Sequence, residues 1–358
     1  MLVYISMTLF AVFFSYLANV KKYVNDKIPL GNKIFWYLSE LILIIVSGIR
    51  YGVGQDYFYT YVPYFNNLLI GHRNLDVEIG FYYLCKFIQI FTYDYAWLFI
   101  ICSVIFFNFI YKAILEQSKS PTFSIFLLVV TTYIFIFYNG MRQMMAIAIF
   151  LYAIKFIQER NLKKYIIYML LASFLHYSVL LLIPLYFLYD VKLNGFKIGL
   201  FSLAFLALKP IITNLSLYII SLTKYNYYIG SRYDTGETSI IMVLINVAVL
   251  LFSLFFINKI KDKEELKKYN FYVLLQFISA IIAMYGGCIP LLMRLRWATG
   301  ISVIILIPFT ISLIEKVKGK ALVTLLIITL YSTYALYTVG AKNYNKVLPY
   351  HTIFERRQ

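Results

Sequence analysis

A chain of 358 residues that is 62% apolar and only 14% charged is not an ordinary soluble domain, for which ~45–50% and ~25% are typical. No water-soluble fold hides that much apolar side chain. A formal net charge of +17 would suggest nucleic acid in a soluble protein, but here cytoplasmic anchoring lysines and anionic lipid account for it, and no nucleic-acid partner is implied.

Apolar runs long enough to cross ~30 Å of hydrocarbon recur along the whole length, and backbone groups in lipid must bond internally, so the spans are expected to be helices. The first run, 2–20, has no basic residue before it and no small-residue cleavage site after it, and Lys21 and Lys22 follow directly. It reads as a retained span, not a signal peptide. Further spans are expected at 34–49, 95–113, 122–138, 142–158, 198–222, 239–258, 269–285, 297–314 and 321–339. Lysine-dense connections at 21–33, 155–164, 190–197, 259–268 and 316–320 belong in the cytoplasm, which puts both termini outside.

Segment 165–188 breaks the alternation, since lysines flank it on both sides, His176 lies at its middle and Pro184 follows. It is expected to be a re-entrant helical hairpin whose tip lines a wet cavity. Segment 78–92 is short and reads as an amphipathic helix at the outer interface. The expected fold is therefore an all-α, polytopic transmembrane bundle of about eleven membrane segments, in a single transmembrane domain over 1–358. The outer loops 50–94 and 223–238 are expected to contribute to its site. Cys85, Cys102 and Cys288 read as packing residues. No metal spacing, P-loop or dinucleotide fingerprint is present, and no cofactor or metal is expected.

This threading sorts the basic residues: nineteen of 24 lysines fall inside and eight of nine arginines outside. A guanidinium is a rigid fork suited to phosphate, so the external arginines point to an anion site. Arg50 leaves the second span in Ser47-Gly-Ile-Arg-Tyr-Gly-Val-Gly-Gln-Asp-Tyr57, where Gly52 and Gly54 permit a tight turn toward Asp56. A snorkelling arginine is the plain alternative there. Arg142 opens a helix in Asn139-Gly-Met-Arg-Gln143, so an anion would meet its guanidinium and the positive helix end together. An arginine at membrane depth costs ~2.5–3.5 kcal/mol on insertion scales, which argues for a use, although a structural ion pair would serve as one. Arg294 and Arg296 precede the 297–314 span on the same outer face. His176 is a candidate base or a packing residue; Glu78, Asp56 and Asp76 are candidate bases or solvated loop charges.

The segments GIRYGVGQDYFYTY, EIGFYYL, NGMRQMMAIAIFLYAIKFI, LASFLHYSVLLLIPLYFL and RLRWATGISVIILIP, in that order, resemble the EpsG branch of the Wzy-like polysaccharide polymerases, from about residue 30 to about 315. The tail Val347-Leu-Pro-Tyr350 resembles the outer tail of such proteins. The resemblance implies a GT-C-like membrane glycosyltransferase of the bacterial cytoplasmic membrane, active on the extracytoplasmic side without metal. It would join oligosaccharide repeat units carried on undecaprenyl pyrophosphate, with membrane lipid, a flippase and a chain-length regulator as possible partners. Arg50, Arg142 and Arg296, with Arg294 beside them, would hold the departing pyrophosphate. His176 would act on the acceptor hydroxyl, with Asp56 or Glu78 as the competing base. A lipid-linked oligosaccharide flippase is the rival from another class, and an O-antigen-ligase-like transferase the rival among enzymes. A flippase should carry charge through the bilayer, whereas these arginines gather at one face.

Overall fold

The computed structural model describes residues 1–20, 29–223, 225–231, 239–290 and 292–356. Lys21, Lys22 and half of the 223–238 loop lie outside the described residues. Among those described, the only β-type pairing is an isolated bridge between Arg50 and Thr352, and the regular structure is otherwise helical.

The helices gather into two compact units, Met1–Ile183 with Glu315–Gln358, and Pro184–Ile314. The first begins with α1 (Leu2–Ala18) and α2 (Leu30–Gly48), which pack together. The buried stripe of α1, Tyr4, Met7, Ala11, Ser15 and Ala18, is spaced three and four apart and ends in small residues. Backbones can then come close, and Ser39 of α2 donates to the Ala11 carbonyl at 2.7 Å. Short α3 (Val62–Leu69) and α4 (Ile79–Phe91) follow. Helix α4 buries Phe81, Cys85, Ile88 and Gln89 on one face, the amphipathic pattern expected for 78–92. After α5 (Ala96–Gln117) come α6 (Pro121–Val130) and α7 (Tyr133–Asn139), bent by 53°. The bend sits at Thr131–Thr132, where Thr132 takes a left-handed φ of 69°. Helix α8 (Met141–Gln158) is buried on nearly every side, so it is the core helix of this unit, packed on α5 and on α9 (Leu162–Ser173).

Beyond α9 the chain doubles back. It reverses at 174–176 and returns as a 3-10 helix, Tyr177–Leu188, with Pro184 inside. The Tyr165 hydroxyl donates to the Leu182 carbonyl at 2.8 Å, so the two arms lie side by side as the hairpin expectation requires.

The second unit holds α10 (Gly195–Ala207), α11 (Lys209–Ser221), α12 (Ile240–Phe256), α13 (Lys263–Tyr285), α14 (Leu292–Gly300) and α15 (Val303–Ser312). Its core helix is α13, which begins four residues into the lysine-rich connection because Asp262 accepts from the Glu265 N–H at 2.7 Å and caps it. Helices α10 and α11 bend by 62° at Leu208, ahead of Pro210. Arg294 and Arg296 lie inside α14, whereas the sequence reading put them before the span. Helix α16 (Val317–Ala335) returns to the first unit.

Among the described residues seven helices are long and apolar enough to cross a membrane, or up to nine if each bent pair is one span. Among the described residues the expected count of about eleven is not confirmed. Helix α1 is a short apolar helix of 17 residues, and 165–188 divides into the two arms of the hairpin.

After α16 the tail is stitched back onto the first unit. Tyr4 donates to the Val347 carbonyl at 2.9 Å and Tyr350 to the Val46 carbonyl at 2.8 Å. The Gly54 and Tyr51 N–H groups donate to the Lys346 and His351 carbonyls, each at 2.9 Å. Arg356 pairs with Asp94 at 2.7 Å.

Candidate functional site

Three of the residues singled out in the sequence meet at one point. Glu78, the residue before α4, accepts from the Arg142 guanidinium on Oε2 and meets His176 Nδ1 at 2.6 Å on Oε1. Glu78 is almost fully buried, while Arg142 and His176 keep 23% and 19% of their side chains exposed, so the cluster opens through those two. Burial by itself would raise the Glu78 pKa. The His176 hydrogen bond and the Arg142 charge outweigh it and hold the carboxyl below its ordinary value of 4.5. An ionised carboxylate only accepts, so the proton between them belongs to Nδ1, and in the neutral imidazole it is then Nε2 that carries the lone pair.

The meeting follows from helix lengths. Helix α9 starts soon after α8 ends and runs antiparallel to it for twelve residues, about 18 Å. Arg142 stands sixteen residues before the end of α8, about 24 Å. The end of α9 therefore comes within about 6 Å of the level of Arg142, a gap that residues 174–176 of the tip and the long Arg142 side chain close. Helix α4 closes the third side through Gly80, whose N–H donates to the Phe174 carbonyl at 3.0 Å. A Cβ on Gly80 would lie 2.6 Å from both the Phe174 Cβ and its carbonyl oxygen. Gly80 is a site-building residue that sequence reasoning passed over; its one signal was its place two residues after Glu78. Gly80→Ala should push the tip off α4, costing about 1–3 kcal/mol of stability together with most activity. Gly199→Ala, inside α10 where nothing lies within 4 Å, should cost no stability in the same thermal-unfolding assay.

The corner that presents Arg142 is built by Asn139 and Tyr61. The Tyr61 hydroxyl donates to the Asn139 carbonyl at 2.8 Å and accepts from the Met141 N–H at 2.7 Å. One donor at the start of α8 is thus already occupied. Asn139 Nδ2 donates to the Asn345 carbonyl at 2.9 Å, and its Oδ1 accepts from the Asp56 N–H at 3.3 Å. Gly52 and Gly54 take positive φ values of 64° and 98°, the turn the glycines were expected to make. Asp56 is half-buried at this corner, and Asp76 is exposed in the loop before α4.

Arg50 departs from expectation. It is fully buried, not turned toward a ligand-facing loop. Its guanidinium lies 4.4 Å from the Tyr138 ring centre, 4.8 Å from that of Phe99 and 5.7 Å from that of Phe137. It donates to the Ser47 carbonyl and, at 3.4 Å, toward the Met141 sulfur. A cation in an aromatic cage at the carbonyl end of α2 is stabilised by ring quadrupoles and by the helix dipole, which makes Arg50 a structural pin. Arg294 and Arg296 belong to the second unit. There Arg294 lies 5.8 Å from the Tyr228 ring centre, and Arg296 is buried with no partner at Nε. Cys85 and Cys102 are buried free thiols, and Cys288 is half-buried. Among the described residues no three His, Cys, Asp or Glu side chains gather as metal ligands would.

Residues 33–352, most of the chain, match the family model described as the EpsG family. No curated protein and no solved structure matches the chain.

Proposed function

The chain belongs to the EpsG family, multi-pass membrane proteins of polysaccharide synthesis, and from that premise we propose a specific reaction for it. It joins oligosaccharide repeat units carried on undecaprenyl pyrophosphate, at the outer face of the bacterial cytoplasmic membrane. The observation that carries this reading is the bridge of Glu78 between Arg142 and His176. It supplies a base and an anion ligand side by side, which is what a glycosyl transfer with a pyrophosphate leaving group needs.

The acceptor sugar hydroxyl gives its proton to His176 Nε2, and its oxygen bonds to the anomeric carbon of the donor as the bond from that carbon to the pyrophosphate breaks. Glu78 fixes the imidazole tautomer and stabilises the imidazolium that forms, as a carboxylate does behind a histidine base. Arg142 commits one N–H to Glu78, and the rest of its five-donor fork remains for pyrophosphate oxygens, where negative charge develops. Arg50 is not among the leaving-group ligands, because its guanidinium is enclosed. The cluster stands at one end of α8 and not midway along the bundle, which favours an enzyme over a flippase.

A strain lacking the protein should make and export single lipid-linked repeat units and lose long polymer, as read by gel analysis of surface glycan. Repeat units held only on the cytoplasmic face would point to a flippase and sink the polymerase reading.

A further inference from the structure

A pyrophosphate carries two phosphates, yet the Glu78 cluster offers it one guanidinium. A second stands nearby. Arg73, in the exposed loop between α3 and α4, folds back so that its guanidinium lies 4.3 Å from the ring centre of Tyr82. Tyr82 is one turn along α4 from Glu78, and its N–H donates to the Glu78 carbonyl at 3.1 Å. Among the described residues no carboxylate pairs with Arg73. A guanidinium lying on a ring face keeps its N–H edges free to bond outward.

Tyr64 stands beside the same cluster. Its ring is 5.8 Å from that of Phe81, which in turn lies 5.7 Å from the Arg142 guanidinium. Its hydroxyl is buried without a hydrogen-bond partner, with 8% of the residue exposed. Burial pushes that hydroxyl up to about 12, and Arg142 and Arg73 both act against the rise, so it lies within electrostatic reach of each. Buried polar groups are almost always bonded, so an orphan hydroxyl within electrostatic reach of both guanidiniums marks a place where a ligand oxygen completes the set.

We propose that Arg73, seated on Tyr82, and the Tyr64 hydroxyl form the second half of the pyrophosphate site, with Arg142 taking one phosphate and Arg73 the other. This deepens the polymerase reading and rests on it. Arg73 is a positioning and binding residue here, remote from the proton transfer at His176.

The test uses the purified full-length protein in lipid nanodiscs, with geranylgeranyl pyrophosphate and geranylgeranyl monophosphate as probes. The parent should prefer the pyrophosphate. Arg73→Gln should weaken pyrophosphate binding about ten-fold or more, as the loss of a charged hydrogen bond does, and leave the monophosphate nearly unchanged. Arg73→Lys should recover part of the loss, and Tyr64→Phe should show a smaller loss of the same kind. Competition by inorganic pyrophosphate tells recognition of the free ion from recognition of the lipid headgroup, and either pattern supports the site. If Arg73→Gln binds the pyrophosphate lipid like the parent, Arg73 is not its ligand and the polymerase reading still stands. A parent that binds no polyprenyl pyrophosphate overturns both.

Discussion

Glu78→Gln should remove nearly all long polymer while the protein still inserts and folds. The amide is isosteric, but it cannot present two acceptor faces at once. An NH2 turned toward Arg142 sets donor against donor, and one turned toward His176 imposes the wrong imidazole tautomer. Replacing the carboxylate behind a histidine base by its amide costs about four decades in rate in the serine-protease triad, so polymer synthesis in membranes carrying the variant should fall steeply. A pH profile of thermal stability checks that the carboxyl is ionised in the folded protein. Because the folded pKa of Glu78 is held below 4.5, the ion pair's contribution is fully present above the ordinary carboxylate value and is lost only as pH falls through the lowered one. The Glu78-dependent part of the parental protein's thermal stability should therefore survive acidification to 4.5 and be lost below it, whereas Glu78→Gln should lack that acid limb. A Glu78→Gln protein that polymerises at the parental rate would remove Glu78 from the mechanism.

Arg142→Lys keeps the charge and should still lose most polymer. An ammonium is a point donor on a flexible stem. It can meet Glu78 or a pyrophosphate oxygen, but it cannot hold both in a fixed plane as a guanidinium does. A contact made mainly to the leaving group is worth ~2–4 kcal/mol, or roughly two to three decades in rate. Lys263→Arg, at the exposed start of α13, should leave polymer length unchanged, which controls for a general effect of swapping basic residues. If Arg142→Lys matches the parent in polymer yield, Arg142 serves only as the structural partner of Glu78.

Much of this protein is legible in its sequence alone, for a local reason. Hydropathy depends on neighbours in sequence, so the membrane class and the cores of most spans follow from runs of apolar residues. The hairpin at 165–188 follows from lysines on both flanks and a polar residue at the middle. Glu78, Arg142 and His176 could each be named from composition, because ionisable groups stand out in so apolar a chain. Their partnership could not. Glu78 and His176 are 98 positions apart and Arg142 is 64 from Glu78, and no spacing rule links positions on α4, α8 and a hairpin tip. It took the antiparallel packing of α8 and α9, and the absence of a side chain at Gly80, to bring them together. Arg50 shows the same limit from the other side. Its glycine-rich, tyrosine-rich surroundings looked like a ligand loop, but the rings of Phe99, Phe137 and Tyr138 close over it only once α5 and α7 are in place. Which residues are apolar is written residue by residue, whereas which charge meets which depends on distances that exist only after the helices have packed.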